Sequence, residues 1–136
     1  MTLSLTAQQL PLEDRAIQFA RQIPVSKLDA YLPGQPLVQW LNRAAGRGAK
    51  IRWEVSDCGE QTGNPEIDRE RDFPLCVDAI TTLSGGRLAI VSLMLGSFQK
   101  GITGLPRLMS VRIGKDNRFD PIGQLRDLPA RIKADN

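Results

Sequence analysis

The sequence predicts an α+β domain whose N-terminal helices pack on one face of a four-stranded antiparallel sheet. Apolar residues recur at helical spacing in the first third of the 136-residue chain, whereas later segments alternate in polarity or are apolar throughout. Turn-forming residues separate these later segments, as in β-hairpins. Helices that precede hairpin-linked strands are expected to cover one face of the sheet, and the length suits a single domain spanning residues 1–136.

Residues 1–10 are expected to form a flexible arm and residues 11–46 a helical region. Prolines mark the helix ends: Pro11 and Pro36 suit first-turn positions, and Pro24 stops the first helix. Three helical segments are predicted, over residues 11–23, 25–32 and 36–45.

The antiparallel sheet is expected within residues 50–113. Its four strands are predicted over residues 50–57, 74–83, 88–97 and 107–113. The third of these is apolar on both alternating faces, which is typical of a central strand covered on both sides. Residues 101–106 are interpreted as a loop, 114–117 as a turn, and 114–136 as a tail packed on the domain. This layout resembles cystatin-like or NTF2-like folds, a likeness that implies no site because such folds host unrelated functions.

The only two cysteines, Cys58 and Cys76, follow the first predicted strand and begin the second. Strand alternation places both on the more polar face, so antiparallel pairing brings the two sulfurs to the same side of the sheet. A disulfide between them is expected, and it would stabilise the fold by about 3 kcal/mol in the chain-entropy model. The alternative is a pair of small, buried, unbridged side chains.

The segment between the cysteines is an acidic island in a protein of net charge +3. Residues 57–78 carry seven acidic and two basic side chains, whereas residues 1–56 and 79–136 have net charges of +3 and +5. The pair Asn64-Pro65 predicts a helical turn over residues 65–70. Partner-binding residues are predicted in this segment at Asp57, Glu60, Glu66, Asp68, Arg69, Glu70 and Asp72.

These features predict a small non-catalytic binding or accessory protein that presents a disulfide-anchored acidic loop to a protein partner. A rigid loop of preset charge lowers the entropic cost of binding and attracts a basic surface. A disulfide favours a periplasmic or secreted protein whose signal peptide has been removed, with the cytoplasm as the alternative. The alternative function is a small-ligand-binding or hydrolytic domain with a pocket between helices and sheet, served by Asp57, Glu60 and Arg112.

The sequence lacks the residues that the most familiar catalytic and metal-binding sites require. There is no histidine, which excludes Ser-His-Asp and Cys-His catalysis and histidine metal sites. Two cysteines cannot complete a tetrahedral zinc site, and neither a dinucleotide fingerprint nor a phosphate-binding loop is present. No catalytic residue, metal or cofactor is therefore expected, and no apolar run has the length of a membrane span. The sequence indicates no oligomeric state.

Three further signals have ordinary structural explanations. Ser97 to Lys100 matches the S-x-x-K motif of penicillin-binding enzymes, but it ends an apolar strand and its companion motifs are absent. The alternating carboxylates of residues 66–72 lack the glycine and spacing of a calcium-binding EF-hand. A basic cluster would need interleaved aromatic residues to bind nucleic acid, whereas Trp40 and Trp53 lie in apolar stripes. Nucleic acid is thus not an expected partner of this cluster, which comprises Arg43, Arg47, Lys50 and Arg52.

Overall fold

A computed structural model describes residues 10–134, and these residues form an α+β domain with one antiparallel sheet. The arm predicted at residues 1–10 lies outside the described residues except for Leu10. The sheet has five strands, which neighbour one another in chain order. They are β1 (Lys50–Ser56), β2 (Pro74–Thr82), β3 (Leu88–Ser97), β4 (Gly101–Lys115) and β5 (Arg118–Ile122). The predicted α+β class and the antiparallel sheet are confirmed, and the predicted count of four strands is one too low.

One face of the sheet is an apolar layer that runs across all five strands. Antiparallel pairing aligns one row of apolar residues, Trp53, Ala79, Val91, Val111 and Ile122, one from each strand in order. The middle of this row is fully buried at Ala79 and Val91. The central position predicted for the third strand is therefore confirmed, because β3 lies between β2 and β4.

Three helices cover this apolar face: α1 (Leu12–Gln22), α2 (Leu37–Ala45) and α4 (Leu128–Ala134). Helix α1 contacts β1, β2 and β3, and its small residues Ala16 and Ala20 are fully buried against them. Helix α2 buries Leu37, Trp40 and Leu41 and contacts both α1 and α4. The first and third predicted helices are thus confirmed to within a residue or two. The segment predicted as helical over 25–32 is only a short 3-10 turn, Val25–Lys27.

The fourth strand is longer than predicted, because the expected loop at 101–106 belongs to β4. The β3–β4 register passes from the pair Met94↔Arg107 to the pair Gly96↔Ile102. The four residues 103–106 of β4 therefore lie opposite the single residue Leu95 of β3 and form a large bulge. β5 pairs only with Val111–Lys115, so no strand formed by residues 10–134 lies on the outer side of the bulge. A proline such as Pro106 is compatible with a strand at an unpaired or bulged position, although its presence favours a loop in sequence reading.

The C-terminal tail is more regular than predicted. β4 continues to Lys115, and the reversal falls at Asp116, which has a positive φ of 58°. The chain then forms β5, a 3-10 turn at Leu125–Asp127, and α4. The tail does pack on the domain as expected, through side chains that are buried at Ile122, Leu125, Leu128 and Ile132.

An ion pair between a buried carboxylate and an exposed arginine joins the N-terminal and C-terminal thirds of the chain. The carboxylate of Asp29, which is 6% exposed, accepts hydrogen bonds from the backbone N–H of Tyr31 and Arg126 and from the Arg126 guanidinium at 2.9 Å. Burial alone would raise the pKa of Asp29, but these donors outweigh it and the pKa is lowered. The same guanidinium lies 4.4 Å from the centre of the Tyr31 ring.

Candidate functional site

The predicted disulfide between Cys58 and Cys76 is present and joins the end of β1 to the start of β2. Ser56 and Cys76 are direct partners in the β1–β2 ladder. Cys58 follows Ser56 by two residues and lies close to the same position, at a Cα–Cα distance of 5.7 Å from Cys76. Residues 58–76 are called the disulfide loop below. The bridge therefore closes the loop where the two strands already meet.

Asp68 organises the interior of the disulfide loop. Its carboxylate accepts hydrogen bonds from the Thr62 backbone N–H at 3.0 Å, the Thr62 hydroxyl at 2.8 Å and the Gly63 N–H at 3.3 Å. The Thr62 N–H makes the largest contribution to lowering the pKa of Asp68, with the hydroxyl and Gly63 adding to it against a smaller cost of desolvation. The carboxylate thus holds one side of the loop to the other.

The short helix α3 (Pro65–Arg69) begins as the sequence predicts. Asn64 is the N-cap, and its side-chain oxygen accepts the Glu66 backbone N–H at 3.0 Å. Pro65 occupies the first helical position, where its missing N–H costs nothing. Because Asp68 lies on α3, its bonds to Thr62 and Gly63 fix the whole helical turn against the preceding chain.

Two further contacts anchor the returning half of the disulfide loop. The guanidinium of Arg71 donates to the Glu60 backbone carbonyl at 2.9 Å, lies 3.3 Å from the Glu60 carboxylate, and stacks 5.0 Å from the centre of the Phe73 ring. Asp72 accepts the backbone N–H of Gln99 at 2.9 Å, which ties the loop to the β3–β4 turn. The loop is therefore fixed at its base, in its interior and at one side.

The seven predicted partner-binding residues fall into two groups. Four carboxylates bond within the protein: Asp68, Glu60 and Asp72 as above, and Asp57, which accepts the Gly59 N–H at 2.9 Å. The outward surface of the helical turn carries the exposed residues Glu66, Arg69 and Glu70. Beside them on the same turn lies Ile67, which is 51% exposed and which the sequence prediction omitted. A lone apolar residue inside a run of charges is the signal that could have marked it.

The residues considered for catalysis or metal binding make ordinary structural contacts. Asp57 and Glu60 are used separately, one on a turn N–H and the other on Arg71. The Ser97 hydroxyl accepts the Lys100 backbone N–H at 3.0 Å, so the S-x-x-K segment is a capped turn between β3 and β4. Within residues 10–134, no three acidic or cysteine side chains converge in a way that could hold a metal ion.

The four cations of the basic cluster have different surroundings, since Arg47 and Lys50 line one hollow whereas Arg43 and Arg52 each have a partner of their own. Arg43 donates to Gln35, and Arg52 pairs with Glu54 at 2.9 Å. Trp40 is 8% exposed in the core, as predicted. The other tryptophan, Trp53, lies partly buried against that core. The aromatic side chains are thus not interleaved with these cations as stacking surfaces.

An apolar groove of about 520 Å³ lies between α1 and the bulge of β4. It is the pocket between helices and sheet that the alternative function requires. Of the three residues proposed for it, neither carboxylate nor Arg112 lines it in the described part of the chain. Arg112 instead lines a smaller hollow of about 280 Å³ on the outer face of the sheet, beside the disulfide, Asp78 and Ser92.

Comparison with protein-family models, with curated proteins and with solved structures finds no match to this chain. The layout resemblance to cystatin-like or NTF2-like folds thus gains no support beyond the shared α+β class. No helix between residues 10 and 134 has both the length and the apolar character needed to cross a lipid bilayer.

Proposed function

We propose that this protein is a non-catalytic binding module that presents the disulfide loop to a basic surface of a protein partner. The observation that carries the proposal is that one set of loop side chains bonds within the protein while another set is exposed to solvent. Asp57, Glu60, Asp68 and Asp72 hold the backbone. The surface formed by Glu66, Ile67, Arg69 and Glu70 then points outward from a fixed scaffold, and is called the presented face below.

The presented face has the anatomy of a small interface. Protein interfaces combine an apolar centre that is desolvated on binding with a polar, charged rim. Ile67 supplies an exposed apolar side chain for such a contact, and Glu66 and Glu70 supply acidic side chains beside it. Because the loop is fixed before binding, less conformational entropy is lost on association.

The charge distribution directs this face toward a basic partner. Residues 57–78 are the acidic part of a chain whose other two segments are both basic. The presented face therefore attracts a basic partner while the rest of the surface repels it. This combination orients the encounter as well as accelerating it.

The disulfide also supports a proposal for the compartment in which the protein resides. Disulfides persist in oxidising compartments and are uncommon in the cytosol. Both cysteines of the chain are in the bridge, and the bridge closes the loop that we assign to binding. We therefore place the protein, and its partner, in the periplasm or outside the cell.

The test compares affinity capture by the wild-type protein with capture by Glu66→Lys/Glu70→Lys. These two carboxylates are exposed, and in the described part of the chain neither makes a hydrogen bond or ion pair that holds the loop, so the variant is expected to fold normally and to lose a basic partner. Asp68, which the sequence included among binding residues, is left intact because its reversal would open the loop. The matched control is Glu13→Lys/Asp127→Lys, which reverses the same charge at exposed positions outside the loop.

The proposal expects one basic protein to be captured by the wild type and the control but lost from the loop variant. Ile67→Ala is expected to weaken that capture by about tenfold, as for the loss of an interface centre. Raised salt should weaken it further because the rim contacts are screened. Capture of the same proteins, at the same yield, by wild type, control and loop variant would refute the assignment.

A further inference from the structure

The α1–β4 groove has no part in the disulfide loop, and its lining is dominated by apolar side chains. Phe19 and Ile23 reach it from α1 and the residue after its end, and Ile102 and Pro106 reach it from the two sides of the β4 bulge. The bulge contributes to this surface, because Gly104 and Pro106 belong to the four residues that lie opposite the single Leu95 of β3. A volume of about 520 Å³ lies in the ordinary size range of small-molecule sites.

Among the described residues that line the groove, the charged ones are both positive. They are Arg15 in the first turn of α1 and Lys27 in the 3-10 turn that follows the helix, and Gln18 and Gln22 add two neutral polar side chains. Arg15 is half-buried, and its Nε donates to the Leu10 backbone carbonyl at 3.2 Å. Within residues 10–134 the two terminal nitrogens of Arg15 make no hydrogen bond, so they remain as the fork that suits a carboxylate.

We propose that the groove binds the alkyl chain of a free anionic amphiphile, a long-chain carboxylate, with its head group on Arg15. Charge complementarity selects the anion, because both cations at the groove attract it and no lining carboxylate opposes it. The apolar lining selects an alkyl chain over a peptide. A peptide would bring backbone N–H and C=O groups of which the lining side chains of Gln18, Gln22 and the two cations could satisfy only a few, at a cost that an alkyl chain does not incur.

The proposal concerns a different surface from the presented face and does not depend on it. It does give the β4 bulge a role, since Gly104 and Pro106, which make the segment resemble a loop in sequence, line the groove in the structure. Leu105, between them, is 80% exposed and is not part of the lining. It therefore serves as a neighbouring apolar control position.

The experiment is a methyl-NMR titration of the wild-type protein with three amphiphiles that share a dodecyl chain. The probes are dodecanoate, neutral dodecyl maltoside and cationic dodecyltrimethylammonium, each kept below its micelle concentration. Dodecanoate is expected to shift the methyl signals of Ile23 and Ile102 saturably and to bind at least tenfold more tightly than the cationic probe. The maltoside should fall between them.

Two variants test the head-group position. Arg15→Gln is expected to weaken dodecanoate at least fivefold while leaving dodecyl maltoside unchanged. Arg21→Gln is the matched control: it removes the same charge from the same helix, where Arg21 lies over the Trp53 ring rather than in the groove. Leu105→Ser should leave dodecanoate binding as in the wild type.

The proposal is overturned if none of the three probes shifts the groove methyls. It is equally overturned if all three bind alike, since charge selection would then be absent, or if the shifts appear only outside the groove. Vesicles of anionic phospholipid form the last arm. Binding to vesicles without binding of monomeric dodecanoate would assign the surface to a membrane and refute the free ligand.

Discussion

The disulfide loop and the centre of the sheet are held in their conformations by different forces. None of the α3 residues in the loop is buried, and its fixed contacts are a covalent bridge and hydrogen bonds to charged side chains. In β3, by contrast, Val91, Leu93 and Leu95 are fully buried between neighbouring strands and under the helices. The sheet is stabilised by removing apolar surface from water, and the loop by constraint and polar bonds.

This difference explains where a binding surface can lie. Residues that hold the sheet together must be apolar and buried, so they have no freedom to recognise another molecule. The loop is held from its base and its interior, which leaves Glu66, Ile67 and Glu70 exposed on a fixed backbone. Polar anchoring thus supplies rigidity without consuming the outward side chains.

The largest expected effect comes from the centre of the sheet. Leu93→Ala removes a fully buried side chain from β3 and should lower the free energy of unfolding by roughly 3–5 kcal/mol. Urea denaturation followed by tryptophan fluorescence measures it. The matched control is Leu105→Ala, whose side chain is 80% exposed and whose effect should stay within about 0.5 kcal/mol. Equal losses in the two variants would show that burial does not stabilise the sheet as argued.

A somewhat smaller effect is expected from the disulfide. Cys58→Ala/Cys76→Ala should lower the free energy of unfolding by about 3 kcal/mol, because the unfolded chain gains the freedom that the bridge removes. The reduced wild-type protein is the matched control, since it keeps both sulfur atoms and the packing of the buried Cys76. Both forms should unfold at similar urea concentrations, below that of the oxidised protein. An unchanged midpoint after reduction would mean that the bridge contributes no stability.

The smallest expected effect on stability comes from the ionisation of Asp68, which acts within the disulfide loop and depends on pH. Hydrogen bonds from Thr62 and Gly63 hold the pKa of Asp68 below its ordinary value of 3.8. A group whose pKa is lowered on folding stabilises the folded state above the unfolded pKa, so this contribution is present at neutral pH and lost as pH falls through the folded-state pKa. The pKa of Asp29 is lowered as well, and its protonation would weaken the contact with Arg126. A measurement of global stability would therefore mix the two carboxyls, so the titration of Asp68 must be followed through signals within the loop.

An NMR titration of the Thr62 and Gly63 amides separates these two carboxyls. In the wild type, both amide signals should move in a single step at a pH below 3.8. Asp68→Asn should abolish that step, and Glu66→Gln, a control on the same helix, should preserve it. A step that persists in the Asp68 variant would place the controlling group elsewhere.

Sequence patterns predicted the features that depend on regular burial or on local capping. The alternation around Cys58 and Cys76 predicted their pairing, and Asn64-Pro65 predicted the start of α3, because each depends on a short stretch of chain. The first half of β4 and the whole of β5 were missed, since Pro106 and Pro121 usually interrupt strands and are tolerated here at bulged or edge positions. Whether a carboxylate points inward like Asp68 or outward like Glu70 depends on how the irregular loop folds back on itself, here to Thr62 and Gly63, which periodicity does not contain.

Amide hydrogen exchange compares the two regions in one experiment, using the oxidised protein and Cys58→Ala/Cys76→Ala. Three amides report on the loop, because Thr62 and Gly63 donate to Asp68 and Gln99 donates to Asp72. A loop held by its bridge and its polar contacts should protect these amides in the oxidised protein and lose that protection in the variant, while the amides of β3 remain the most protected. Loop amides that exchange freely in the oxidised protein, or that keep their protection without the bridge, would contradict this description of the loop.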